Sequence, residues 1–555
     1  MIPLTLRCAL LLSRVHWHRW QARTRNPRAA QNELLRRILR RNQASAIGRE
    51  YGFGSIATVD DYRKRVPLGD YERYRPYVQR ITQGEQRVLT DEPVLMFTMT
   101  SGSTGAPKLI PVTESTRASH SRLTRLWYSR AFQDHPGSAA GTIFGLVGRA
   151  VEGHTASGIP FGAASGLIYQ SSPMWIKRSH ALPYEIAEIK DFQAKYYAAM
   201  RLAIEQNVTF LGTPNPSTIL RLVETADRCR DDLVKDVHDG TLTSQLDLPP
   251  DTRRSLAERL SPNPERAKIL ASQLAAAGRL RPADYWPNLK LIGCWKGGSV
   301  GVRLKELASR FGGGMPVRDL GYMASEAQMS LPVTDNGSAG TLTIDANFFE
   351  FIPESEIGSA NPITLDCDEL EPGGVYYVIL TTPAGLYRYD INDVIRVAAF
   401  YGKTPLVEFL RKGRDVTNIT GEKLHVNQVI QAMEQAQRAT SVRVRHFRAF
   451  ADVEKSLYAF MVELDGVNAP AGAPANLLRE LDASLAKLNV EYADKRKSVR
   501  LKAPVLCLMK PGWFDRKASA ALRAGARDVQ FKAELLSATP EPAGEIICTV
   551  ELGMP

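Results

Sequence analysis

Short apolar runs, each followed by a proline- or glycine-marked turn and then a helix, are the feature that most restricts what this chain can fold into. Val208-Thr209-Phe210-Leu211 precedes Pro216 and an amphipathic run through Ile219, Leu220, Leu222 and Val223. Leu289-Lys290-Leu291-Ile292 precedes Gly297-Gly298 and a helical run from Val302 to Phe311, stopped by Gly312-Gly313-Gly314, after which Val317-Arg318-Asp319-Leu320 reads as another strand. Strand, helix and strand in this order predict an α/β fold with a parallel or mixed sheet, whose ligand sits at the C-terminal ends of the strands. At 555 residues the chain exceeds what one core normally serves, so two or more domains are expected. From 341 to 411 the texture becomes strand-rich, with turns at Pro372-Gly373-Gly374 and Gly402. These strands stop at Lys412-Gly413-Arg414-Asp415, and helices near 425–437 and 474–489 with strands near 455–463 and 545–551 follow. The reading is a large N-terminal domain, 1–412, of mixed β-sheets flanked by helices plus a β-rich subdomain, and a smaller α+β C-terminal domain, 413–555.

The chemistry begins after another apolar run, Val94-Leu95-Met96-Phe97, which leads into Thr98-Met99-Thr100-Ser101-Gly102-Ser103-Thr104-Gly105-Ala106-Pro107-Lys108. Small residues let backbone N–H groups approach a phosphate, hydroxyls add donors, and a lysine supplies a point charge. The spacing departs from a Walker A loop, because Gly102 and Gly105 are too close and Pro107 intervenes before Lys108. A polar surface turn has the same composition. Downstream, Ser115 to Phe132 reads as a helix capped by Thr113, and residues about 31–46 read as a helix with an apolar stripe of Leu34, Leu35, Ile38 and Leu39.

Charge and cysteine placement exclude several classes. The net charge of +12 is uneven: residues 1–50 hold eleven arginines and two glutamates, hence +9. That segment, with Trp17 and Trp20, either packs on the domain with a solvated basic face or touches an anionic membrane surface. No basic stripe interleaved with aromatics recurs elsewhere, so nucleic acid is not an expected partner. No apolar run approaches the length of a membrane span. Six cysteines scattered without C-x-x-C spacing fit reduced thiols in a cytoplasmic protein and give no transition-metal site.

Three further stretches follow expected strands. Gly321-Tyr322-Met323-Ala324-Ser325-Glu326 offers a ring for a nucleobase and a carboxylate for a hard cation. Gly385-Leu386-Tyr387-Arg388-Tyr389-Asp390-Ile391-Asn392-Asp393 offers carboxylates that could take both hydroxyls of a ribose; it reads equally as a strand or helix start. Arg414-Asp415 stands at the expected boundary. Together and in this order, these stretches resemble the adenylate-forming superfamily. With Val66-Pro67-Leu68-Gly69-Asp70-Tyr71, Phe348-Phe349-Glu350-Phe351-Ile352-Pro353 and Gln530-Phe531-Lys532 they resemble, over most of the chain, the acyl acid amido synthetases of the auxin-responsive Gretchen Hagen family.

The resemblance implies roles. Thr100, Ser101, Gly102, Ser103, Thr104, Gly105 and Lys108 would cradle the phosphates of ATP. Tyr322 and Ser325 would hold adenine, with Gly297 and Gly298 lining its pocket. Glu326 would hold Mg²⁺, Asp393 the ribose, and Arg414 would reach the nucleotide near a hinge. Lys532 would be a catalytic lysine on a mobile C-terminal lid. Asn392 departs from the family's usual glycine before the aspartate, although asparagine tolerates left-handed backbone. The implied reaction joins a small carboxylic acid, activated as its acyl-adenylate, to an amine, an amino acid in this family, in a monomeric enzyme. A thiol acceptor would make it an acyl-CoA ligase instead, and a silent nucleotide-binding protein would need neither lysine.

Overall fold

The apolar runs at 208 and 289 are neighbouring parallel strands. The computed structural model describes residues 15–552 except 101–107, 298–302, 358, 360, 414–415, 418, 420–423, 453–454, 466–471, 498–500, 524–534 and 538–539. The chain divides into two compact units, Met1–Ile391 with Ile395–Phe409, and Asn392–Val394 with Leu410–Pro555.

In the larger unit a four-stranded parallel sheet runs in the order Thr142–Gly145, Val208–Gly212, Leu291–Gly293, Val317–Arg318. Val208, Thr209, Phe210 and Leu211 are all buried, the signature of a strand covered on both faces. The helix Pro216–Arg228 starts with Pro216 at its first position and Asn215 capping the Ser217 N–H. The helix Glu114–Asp134, capped by Thr113 as read from the sequence, packs Trp127, Tyr128 and Phe132 around Phe210. The strand expected to end at Leu320 stops at Arg318, because the Asp319 side chain accepts the Gly321 N–H two residues on, which turns the chain, and the Lys296 N–H after the neighbouring strand.

A second sheet pairs Met96–Thr100 antiparallel with Lys108–Val112 and parallel with Pro160–Gly162. A six-stranded sheet has the order Phe348–Pro353, Val375–Thr381, Tyr389–Tyr401, Thr404–Lys412, Gly340–Leu342, Ser330–Leu331. Its third strand starts five residues before the expected Val394, since the buried positions Tyr389, Ile391 and Asp393 alternate with Asp390 and Asn392. The expected 31–46 helix lies at Pro27–Asn42, and Ser45 caps a separate turn, Ala46–Glu50. Trp17 and Trp20 are buried, with Trp20 stacked on Tyr401 at 5.9 Å, so these rings pack on the domain and are not presented to a membrane surface.

The smaller unit holds a five-stranded sheet in the order Leu536–Ser537, Val444–Asp452, Leu457–Leu464, Val505–Met509, Ile546–Glu551. Helices Val426–Thr440 and Ala473–Leu488 bury Val429, Met433, Leu477, Leu481 and Leu485 in its core. Among the described residues no helix is long and apolar enough to cross a membrane.

Candidate functional site

Lys108 opens the strand that pairs with Met96–Thr100, opposite Thr100, so residues 101–107 connect two antiparallel strand ends rather than leading into a helix. Ser101, Gly102, Ser103, Thr104 and Gly105 lie outside the described residues, as do Gly298, Arg414 and Lys532. The Lys108 ammonium stands 5.5 Å from the centre of the Tyr71 ring. The Tyr71 hydroxyl accepts the Leu109 N–H at 2.8 Å and donates to the Leu109 carbonyl at 3.2 Å. Burial pushes the Tyr71 phenol up, and the Glu326 carboxylate is close enough to add to that shift.

Glu326 is 8 % exposed and accepts the Tyr389 hydroxyl at 3.2 Å. Thr98 donates to the Ser325 carbonyl at 3.4 Å, tying the strand before the hydroxyl-rich loop to the turn that carries Glu326. Tyr389 is fixed in turn: Gly69 and Tyr389 form a parallel bridge, with the Asp390 N–H on the Gly69 carbonyl at 2.9 Å. The structure therefore brings Lys108, Ser325 and Glu326 together around Tyr71 and Tyr389. Glu326 is a single carboxylate, and among the described residues no three His, Cys, Asp or Glu side chains converge as a metal shell. That donor set suits a hard cation which keeps waters and phosphate oxygens among its ligands.

Gly297 and Tyr322 meet through Asp319. Its carboxylate accepts the Lys296 N–H and the Gly321 N–H, each at 2.6 Å, joining the turn before Gly297 to the loop of Tyr322. Desolvation raises its pKa to about 6, against the lowering effect of these N–H groups. Gly321 holds φ +96° with the Ser330 carbonyl 2.4 Å from where a Cβ would lie, so no other residue fits. The Tyr322 ring stacks on Phe409 at 5.4 Å, and the carbonyl of Phe409 also borders Gly297.

Asp393 lies in the Asn392–Val394 segment of the smaller unit and is 1 % exposed. Asn392 before it takes φ +56°, the left-handed backbone that a glycine would adopt freely, and its carbonyl accepts the Gly413 N–H at 2.9 Å. Tyr71, Asp319 and Tyr389 were within stretches singled out in the sequence but carried no role there. An aromatic beside a helix cap and an acid at the end of a short strand are too common to signal one. A separate cavity of about 660 Å³, lined by Tyr169, His180, Tyr184, Glu205 and Arg259 among others, contains none of the sequence-predicted residues. Burial there holds His180 down at about 4.

Family models match three segments: the GH3 family N-terminal domain over residues 17–317, the central domain over 340–412, and the C-terminal domain over 427–541. A jasmonoyl–L-amino acid synthetase of Oryza sativa subsp. japonica is 26% identical over 544 residues, covering 92% of both chains. An indole-3-acetic acid-amido synthetase of Arabidopsis thaliana is 26% identical over 514 residues, covering 84% of this chain and 86% of its own. Among solved structures, an acyl acid amido synthetase in complex with 2,4-DB superposes with a TM-score of 0.85 at 22% identity, over 96% of each chain, and shares the fold.

Proposed function

This chain belongs to the GH3 family, and from that premise we propose that it is an acid–amino-acid ligase that activates a small carboxylic acid with ATP. The observation that carries the reading is the stand of Lys108 over the Tyr71 ring, at the start of the strand paired with Met96–Thr100, with Gly69 two residues before Tyr71 bridged to Tyr389, whose hydroxyl binds Glu326. The acid's carboxylate attacks the α-phosphorus of ATP, pyrophosphate leaves, and the acyl-adenylate remains. The amino group of the second substrate then attacks the acyl carbon, releasing AMP and forming the amide. Such transfers depend on positioning and charge neutralisation rather than on a protein nucleophile.

Lys108 would neutralise charge on the departing phosphates, alongside the backbone of residues 101–105 and the Thr100 side of the strand. Glu326 would hold Mg²⁺, which supplies charge neutralisation at the phosphates when bound. Tyr322, Ser325, Gly297 and Gly298 would receive adenine, Asp393 the ribose hydroxyls, and Arg414 the nucleotide near the boundary between domains 1–412 and 413–555. Lys532 would serve adenylation from a lid formed by the second domain.

Exchange of labelled pyrophosphate into ATP, dependent on an added carboxylic acid, tests the reading. AMP and pyrophosphate are the expected products; ADP and phosphate would overturn it. A mass-spectrometric screen of acids against amino acids, with coenzyme A as a competing acceptor, would identify the substrates, and thioester without amide would reassign the second step.

A further inference from the structure

The segment Val66-Pro67-Leu68-Gly69-Asp70-Tyr71 supplies none of the groups assigned a role above, yet it contacts Lys108 directly and reaches Glu326 through Tyr389. Tyr71 is the first residue of the helix Tyr71–Thr82, whose cap, Asp70, accepts the Glu72 N–H at 3.0 Å. The tyrosine is 3 % exposed. Its hydroxyl meets a strand edge. Lys108–Val112 is the outer strand of its sheet, and Leu109 lies opposite Met99. An outer strand leaves alternate N–H and C=O pairs without a ladder partner. At Leu109 the Tyr71 hydroxyl takes both, accepting one and donating to the other, as a further strand would. The ring then lies under the preceding residue's ammonium, within the range of a cation–π contact.

Tyr71 thus fixes Lys108 twice, through the backbone of the next residue and through the side chain itself. Two residues earlier, Gly69 bridges to Tyr389, whose hydroxyl binds Glu326. We propose that Tyr71 is a positioning residue for adenylation, holding Lys108 where it would meet the phosphates of ATP. This rests on the reading of Lys108 given above.

A tyrosine in this place that served only stability would act equally whatever residue stood at 108. The test is a double-mutant cycle in pyrophosphate exchange, using Tyr71→Leu, Tyr71→Phe and Lys108→Ala, with thermal unfolding followed for each protein. Tyr71→Leu should raise the KM for ATP about tenfold, the scale of one lost charged contact plus one lost hydrogen-bond pair, while the KM for the acid changes less than about twofold. Tyr71→Phe keeps the ring and should lose only about threefold, the hydroxyl's share. With Lys108→Ala already present, either change should alter ATP use by less than about twofold. Should Tyr71→Leu fail to fold, the Tyr71→Phe arm decides alone. Equal losses in both backgrounds, or an unchanged KM for ATP in folded Tyr71→Leu, would overturn the role of Tyr71. A Lys108→Ala enzyme that uses ATP normally would instead overturn the phosphate role of Lys108.

Discussion

Asp319 is a carboxylate whose two backbone N–H partners favour its charged form, yet burial wins and its pKa stands at about 6. An unfolded aspartate titrates near 4. Between roughly pH 4 and 6 the folded protein therefore binds more protons than the unfolded one, so this group's contribution to stability falls as pH rises through that window and is level above it. The penalty at neutral pH is roughly 3 kcal/mol, and the ionised group is kept because only it can accept from Lys296 and Gly321 together. Urea unfolding of Asp319→Asn should lack this slope between pH 4 and 6, a difference from wild type read from paired pH series. Asparagine has one acceptor oxygen, so the mutant should also show a KM for ATP several-fold higher at pH 8. Glu326→Gln preserves shape and the Tyr389 contact while removing the charge proposed to hold Mg²⁺. Its pyrophosphate exchange should drop by about a hundredfold, the scale for one preorganised electrostatic group, with partial recovery in excess Mg²⁺. Wild-type exchange would demote Glu326 to a structural acceptor.

At the scale of elements, the turn into the Tyr389–Tyr401 strand depends on Arg388, a non-glycine residue at φ +48°. Its guanidinium donates to buried Glu350 and to the carbonyls of Arg63 and Val66, each at 3.0 Å. Arg63 also binds Glu350 and Asp366, so one carboxylate joins the helix Val59–Arg65 to the strand Phe348–Pro353 and to this turn. Removing one member of a buried pair typically costs about 3–5 kcal/mol where the partner is left bare; here Arg63 still holds Glu350 after Arg388 is lost, so the lower end of that range applies. Arg388→Met should therefore lower unfolding free energy by about 3 kcal/mol in denaturant titration. Adding Glu350→Leu should restore part of it, and a double mutant weaker than Arg388→Met would show that Arg63 carries the larger share. The individual strands were largely legible beforehand, because alternation and turn residues are local. The start of Tyr389–Tyr401 was not, since Asp390, Asn392 and Asp393 fit a helix start as well as a strand start until the burial of alternate residues is known.

At the scale of the whole molecule, the proposed lid makes a claim that separates the two half-reactions. Lys532 lies outside the described residues and its role rests on family resemblance. If one pose of the second domain serves adenylation and another serves amide formation, Lys532→Ala should slow pyrophosphate exchange yet consume a chemically supplied acyl-adenylate at a near-normal rate. Equal loss in both steps would count against the lid. What the sequence determined by itself is the set of contiguous pieces: the α/β class, the cap at Thr113, the strand before the hydroxyl-rich loop, and the glycine, tyrosine and acid of 321–326. Each is fixed by propensity and periodicity within a few residues. Only the tertiary structure decided which pieces meet. Tyr71 finds Leu109 at a separation of 38 residues, Tyr389 finds Glu326 at 63, and Asp319 finds Lys296 at 23. Those contacts arise because strands adjacent in a sheet need not be adjacent in the chain, and no local pattern encodes which side chains the sheet will bring face to face.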